Sequence, residues 1–358
     1  MHIAQVLSWS KGPEYLTVPD PDPTASTGDR VKLRVLAAGL HQVVRFRATG
    51  QHYSAPASAQ GSGSGSGDGL PHTPGIDCVA VDESTGQLHY VLSMAPGFGT
   101  FAEYIVVDKS SSLHPLPLTA SGIDAEAFAA SVNPAMSSYL ALKHRTDFSS
   151  LPANYTVLIL GVTSASGRLA IRVARALGAG RVVGVARQDL LASSDSSQLL
   201  SALKSEGLDE YIQQRDPVTD TDFSTLLKDG VDVVLDYVYG PLAVHLLSTL
   251  PVPAPGTQYV MIGALSGALD VPIPHAALRS KNITIRGSGP GSVSFPVIRQ
   301  EIRSLVELMT AWCATREDEE GGKGKKLLDN VLAIPLKDIE TVWGDRELQR
   351  KHRLVFVP

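Results

Sequence analysis

The sequence predicts an α/β protein in two parts, an all-β unit and a doubly wound sheet of parallel strands flanked by helices. Three observations lead there. The chain has 358 residues, more than one hydrophobic core usually holds. Its first hundred or so residues break into short β-type runs separated by turns, HIAQVLS, EYLTV and RVKLRVLAA among them. Farther on, apolar runs alternate with helical patterns, as in βαβ units. Hydrophobic residues make up 43% of the chain and charged residues 19%, with a mean hydropathy of +0.05. That composition supplies large cores and excludes a largely disordered chain.

The β unit continues through IDCVAV, HYVLSM and FAEYIVV, each rich in β-branched and aromatic residues. Between Tyr53 and Pro71 the segment SAPASAQGSGSGSGDGL offers nothing with which to build a core and reads as a mobile loop. The second part begins with the apolar strand TVLIL, then a Gly/Ser turn, an amphipathic helix ending at Gly178 and the strand RVVGVA. VDVVLDYV, QYVMIG and NITIRG read as further strands of one parallel sheet. A long helix is expected from Pro296 to Ala314, where Ile298, Ile302, Leu305, Leu308 and Met309 recur at helical spacing. REDEEGGKGKK reads as a solvated loop, and HRLVFVP returns to β character, so the C-terminus is expected to complete the first domain. The expected domains are 1–130 with 291–358, and 131–290.

Lys and Arg number 31 against 36 Asp and Glu, a net charge of −5, and no basic block could track a phosphate backbone, so nucleic acid is not an expected partner. MHIAQVLSWSKG lacks a basic segment followed by a long apolar core, and no run approaches the roughly 18 apolar residues of a membrane helix, so no membrane is expected and the location is read as cytoplasmic. Cys78 and Cys313 are too few for a four-cysteine zinc site or a disulfide scaffold. A small-molecule substrate remains as the expected partner, with a homodimer left open.

The turn after TVLIL reads Gly161, Val162, Thr163, Ser164, Ala165, Ser166, Gly167 between a strand and a helix, where a phosphate-binding loop sits. Small residues admit a pyrophosphate, and amides at the helix N-terminus face the anion. Ser164 stands in place of the middle glycine. The next strand ends in Val185, Ala186 and Arg187. A carboxylate there would bind the ribose 2′-hydroxyl of NAD, whereas a guanidinium grips a 2′-phosphate, so Arg187 favours NADPH. Asp189 is the weaker, NAD-type alternative. Tyr139 and Lys143 fit Tyr-x-x-x-Lys, the catalytic pair of short-chain dehydrogenases. Here, however, the pair precedes the glycine-rich loop, the wrong order for that family, so Tyr139 reads as a packing residue on a helix.

Together with these, GDRVKLRVLAAGLHQ, LPHTPGID, GTFAEYIVVD, NPAMSSYLAL, VDVVLDYVYG, YVMIGALSG and the final HRLVFVP resemble the medium-chain dehydrogenase/reductase superfamily, in its zinc-free quinone oxidoreductase and enoyl reductase branch. The resemblance covers nearly the whole chain. It implies a GroES-like β domain, split in sequence, with a Rossmann domain, and it places Gly263, Ala264 and Ser288 with the Gly161–Gly167 loop on the cofactor. It also tests for zinc. His41 stands where zinc-dependent members carry their first cysteine, Ile76 where they carry a histidine and Asn133 where they carry the last cysteine. Ile76 cannot ligate, so His41 and Asp77 would need some third ligand and no metal is expected.

Hydride donation without a Lewis acid suits acceptors that delocalise charge, such as quinones and α,β-unsaturated carbonyls. The expected activity is NADPH-dependent reduction of one of these. A zinc-free carbonyl reductase and an NADPH-binding protein without turnover are the alternatives. Tyr53, similar in position to tyrosines lining the cleft of relatives, is the candidate donor to the substrate oxygen. His41 is the second catalytic candidate, as a nicotinamide-side contact or, alternatively, a satisfied buried histidine.

Overall fold

A computed structural model of the chain describes every residue except 25–28, 51–68, 96, 117–123, 188–195, 225–227, 229, 252–255, 269 and 315–326. By its internal contacts the chain divides into two compact units, Met1–Asn133 with Arg299–Pro358, and Pro134–Ile298.

The first unit opens with β1 (His2–Gln5) and β2 (Glu14–Thr17), an antiparallel pair. β3 (Arg30–Gly39) is ten residues long and leads through Leu40 and His41 into α1 (Gln42–Ala48). β4 (Asp77–Val81), β5 (Leu88–Leu92), β6 (Tyr104–Asp108) and β7 (Leu113–Pro115) follow. The unit boundary at Asn133 falls within the long helix α2 (Ala125–Arg145).

In the second unit, β8 (Thr156–Leu160) coincides with the expected TVLIL strand, and α3 (Ala165–Ala176) follows it. The unit continues with β9 (Arg181–Arg187), β10 (Glu210–Gln214), β11 (Val233–Asp236), α4 (Pro241–Thr249), β12 (Thr257–Met261) and β13 (Ile283–Gly287). All six strands pair in parallel, in the order β10-β9-β8-β11-β12-β13. This is the doubly wound arrangement, in which central strands are covered on both faces and therefore read as unbroken apolar runs. Leu158, Leu160, Val183, Val185, Val234 and Leu246 share its core.

The chain then returns through α5 (Phe295–Ala314), whose Ile302, Leu305 and Met309 are buried as the helical spacing requires. β14 (Val331–Pro335) and β15 (Arg353–Val357) complete the first sheet, ordered β14-β15-β3-β4-β5-β7 with β6 also on β3. Phe356 of β15 is fully buried and meets Phe101 edge-on at 5.0 Å. β7, β10 and β14 were not read from sequence. β7 has three residues, and β10 is the polar edge strand EYIQQ, so neither shows the apolar alternation that marks a half-buried strand.

Candidate active site

In the parallel sheet β9 and β11 lie on opposite sides of β8. Connections from β8 and β11 diverge there, and in doubly wound sheets ligands bind at the carboxyl ends of the strands at such a switch point. Gly161 follows β8 with φ +83, a conformation glycine adopts at no steric cost. Ser164 is the N-cap of α3. Its Oγ accepts from Gly167 N at 3.0 Å and donates to Gly161 O at 2.8 Å, while its own φ of −70 needs no glycine. Serine in the middle position thus closes the turn and caps the helix. The first-turn amides of Ala165 and Ser166 are left without intrahelical acceptors.

Close approach decides the glycine at the end of the loop. A Cβ on Gly167 would lie 2.3 Å from Gly161 O and 2.8 Å from Val162 Cα, so helix and loop touch backbone to backbone. A Cβ on Gly184 of β9 would lie 2.6 Å from Val162 Cγ1. The loop is therefore seated on both its helix and the neighbouring strand, with Thr163, Ser164, Ala165 and Ser166 half-buried. A cradle of small residues, a helix N-terminus and a switch point together fit a dinucleotide pyrophosphate. Arg187 closes β9 with its side chain exposed, opposite Gln214 of β10. Asp189 lies outside the described residues.

The remaining cofactor candidates follow the carboxyl ends of β12 and β13. Ile262 N and Gly263 N donate to Asp236 O at 2.8 and 3.1 Å, and Leu265 N to Tyr237 O at 3.0 Å, so Gly263 and Ala264 are knitted to the segment after β11. A Cβ on Gly263 would meet Tyr237 O at 3.0 Å. Ser288 N donates to Met261 O at 2.8 Å, which holds Ser288 beside the end of β12. A Cβ on Gly161 would meet Val238 Cγ2 at 3.0 Å and Leu265 Cδ1 at 3.7 Å, so the Gly161 and Gly263 turns share neighbours.

Sequence reasoning missed the anchor of this edge. Asp236 is wholly buried; its Oδ1 accepts from Val238 N and Tyr239 N at 2.7 and 2.8 Å, and its Oδ2 accepts from the Tyr259 hydroxyl. Burial pushes its carboxyl up, against the pull of those three donors. The bonds stabilise the turn in which Tyr239 takes φ +57 and Gly240 φ +76. The motif VDVVLDYVYG carried part of the family resemblance, but nothing in it distinguished Asp236 from any strand-ending carboxylate.

The catalytic candidates separate. Tyr53 lies outside the described residues, as does most of the Ser/Gly segment after it. His41 is in the first unit, 2% exposed, with Nε2 at 2.9 and 3.0 Å from the two carboxylate oxygens of the fully buried Asp77. Its Nδ1 is engaged by the Arg353 guanidinium, and the Tyr90 hydroxyl donates to Asp77 Oδ2 at 2.7 Å. Burial pushes the His41 imidazole below its ordinary range, with Asp77 opposing and Arg353 adding to the shift. Both ring nitrogens therefore have side-chain partners within the first unit. Tyr139 is buried on α2, as a packing residue would be.

A family model described as zinc-binding dehydrogenase matches residues 165–311. The probable NADPH-dependent quinone reductase tdiC of Emericella nidulans is 32% identical over 396 aligned positions covering all of both chains. The chain belongs to the medium-chain dehydrogenase/reductase superfamily. Its place there is in the quinone oxidoreductase and enoyl reductase branch. The fold agrees: the quinone oxidoreductase of Thermus thermophilus superposes with TM-score 0.69 at 23% identity, covering 100% of each chain. The ETR1P/NADP/crotonyl-CoA complex superposes at 0.74 and 17%, covering 100% of this chain and 99% of that one. The split β unit and parallel sheet are thus the GroES-like and Rossmann folds of this superfamily.

Zinc, named in the family description, does not fit the residues present. Among the described residues no group of three or more His, Cys, Asp or Glu could hold a metal ion. Ile76 has no donor atom, and His41 has no lone pair to spare. Among the described residues no helix is long and apolar enough to cross a membrane.

Proposed function

We propose that this chain is an NADPH-dependent oxidoreductase that passes hydride to a quinone or to the C=C bond of an α,β-unsaturated carbonyl without zinc. The observation that carries this reading is the Gly161–Gly167 cradle at the switch point of the parallel sheet, in a chain 32% identical along its whole length to a relative named an NADPH-dependent quinone reductase. In this reading 131–290 is the cofactor domain, and 1–130 with 291–358 is the catalytic domain.

Bound NADPH supplies a hydride from its nicotinamide ring. The residues do the holding. Amides of Ala165 and Ser166, pointing along α3, receive the pyrophosphate, and Arg187 pairs with the 2′-phosphate through charge-assisted bonds. Gly161, Thr163, Ser164 and Gly167 keep the loop narrow. Gly263, Ala264 and Ser288 line the cofactor farther along the sheet edge. On the substrate side Tyr53 donates to the oxygen that collects charge as hydride arrives. Quinones and enones spread that charge, so hydrogen bonds suffice where an isolated ketone would need a Lewis acid.

The test is NADPH oxidation against a panel of quinones and one enone, with product analysis. Loss of NADPH absorbance with quinone, or the saturated ketone from the enone, supports the reading. An allylic alcohol product would make the protein a carbonyl reductase, and tight NADPH binding without turnover would make it a binding protein; either overturns the proposal.

A further inference from the structure

The buried His41 and Asp77 side chains and the half-buried Arg353 form a chain of donors and acceptors whose wiring is determined by chemistry alone. A guanidinium has five N–H donors and no acceptor, so its contact with His41 Nδ1 is possible only if Nδ1 carries the lone pair. The ring proton is then on Nε2, which donates to Asp77 Oδ2 at 3.0 Å. Tyr90, also fully buried, donates to the same carboxylate. Strand register brings the parts together. Val355 pairs with Gly39 and Phe356 with Ala38 in antiparallel alignment, which sets Arg353 across from His41, and Leu40 N donates to Leu354 O at 3.0 Å between them. Asp77 opens β4, the strand on the other side of β3.

We propose that Arg353 is the cation this site is built around: it locks His41 as a neutral, Nε2-protonated imidazole that neither binds metal nor transfers protons, but positions the start of α1. The charges balance as Arg353⁺ and Asp77⁻ with a neutral ring between them, so no unpaired charge is buried. A metal would need a ring lone pair, and the one lone pair of neutral imidazole is taken by the guanidinium. His41 is the N-cap residue of α1, and its side chain caps nothing in that helix. What it does instead is tie the β3–α1 junction to β4 and β15, through partners that are 36 and 312 residues from it in sequence. A Cβ on Gly39 would lie 2.6 Å from the His41 ring, so the ring also packs against the end of β3.

The experiment uses the full chain labelled with ¹⁵N-histidine. Long-range ¹H–¹⁵N spectra between about pH 6 and 8 report tautomer and charge, with His41 assigned by the signal lost in His41→Asn. The expected wild-type result is a neutral Nε2–H ring throughout, and no visible d–d absorption with one equivalent of Co²⁺. In Arg353→Met the ring becomes cationic beside Asp77⁻ at the acid end of that range, and Arg353→Lys, which still donates to Nδ1, restores the neutral form. A charged or Nδ1-protonated His41 in the wild type overturns the wiring. Co²⁺ bands that vanish in His41→Asn overturn the exclusion of metal. Both measurements use only proteins that retain Arg353, so they decide the matter even where Arg353→Met fails to fold. The kinetic arm alone rests on the proposed reductase activity: Arg353→Met should lower kcat with a quinone by about ten- to a hundredfold, leave the NADPH KM nearly unchanged, and be rescued by Arg353→Lys. A lowered Tm with kcat intact would make the triad purely structural and remove the positioning role.

Discussion

Gly167→Ala tests the cofactor cradle most directly. The added methyl would stand 2.3 Å from Gly161 O, 2.8 Å from Val162 Cα and 2.9 Å from Val162 C, all backbone atoms that cannot rotate away. Ordinary contact lies near about 3.5 Å, so the first turn of α3 must move off the loop by roughly 1 Å. Overpacking of this kind costs about 1–3 kcal/mol of stability. In a unit of this size that lowers Tm by about 2–4 °C per kcal/mol. Binding should suffer further, because a shift of about 1 Å takes the Ala165 and Ser166 amides out of hydrogen-bond range of a phosphate. Losing one charge-assisted bond, about 1.5–3 kcal/mol, raises the NADPH Kd by roughly ten- to a hundredfold. Gly178→Ala is the control: it has φ +95 but open space around it, so it should lower Tm without touching the loop. NADPH fluorescence titration and thermal melts of both variants give the comparison. Wild-type affinity in Gly167→Ala, or an equal loss of affinity in Gly178→Ala, would show that the Gly161–Gly167 turn is an ordinary strand-to-helix connection.

Arg187→Ala should weaken NADPH by roughly ten- to a hundredfold, from a bond of about 1.5–3 kcal/mol, and leave NADH almost unchanged; equal loss of both by calorimetric titration would make Arg187 structural. Tyr53→Phe should slow single-turnover reduction of an enone by about a hundredfold with NADPH saturating, and slow a quinone less, since one oxyanion donor is removed; unchanged rates for both would reduce Tyr53 to packing. Asp236→Ala leaves the Val238 and Tyr239 amides and the Tyr259 hydroxyl without their acceptor, and urea unfolding should show a loss of about 3 kcal/mol or more. Burial, followed by Arg47 for His72 and by Arg303 and Arg299 for His114, pushes both imidazoles down to about 4. The unfolded chain takes up these protons near about pH 6.5 and the folded chain only near 4, so Tm should fall as pH is lowered through that window. His114→Phe should flatten the fall, and an unaltered profile would show that His114 does not titrate with folding.

What could be read from sequence is what neighbours in the chain decide. The apolar run of β8, the turn from Gly161 to Gly167 and the amphipathic start of α3 depend on residues within a few positions of one another, and a period or a small side chain betrays them. The stripe from Ile298 to Met309 is of the same kind. Family membership was legible for a related reason, since many such local motifs recur in one order along the whole chain. Other features depended on strand pairing. Only the antiparallel register of β15 on β3 sets Arg353 across from His41, and only then does the histidine gain a partner on its second ring nitrogen. Likewise the parallel pairing of β11 with β12 turns Asp236 from a strand-ending carboxylate into the buried anchor of the switch-point turns. A hydrogen bond across 312 residues leaves no periodicity in the sequence. It depends on which strands become neighbours, and that is settled by the packing of the whole sheet.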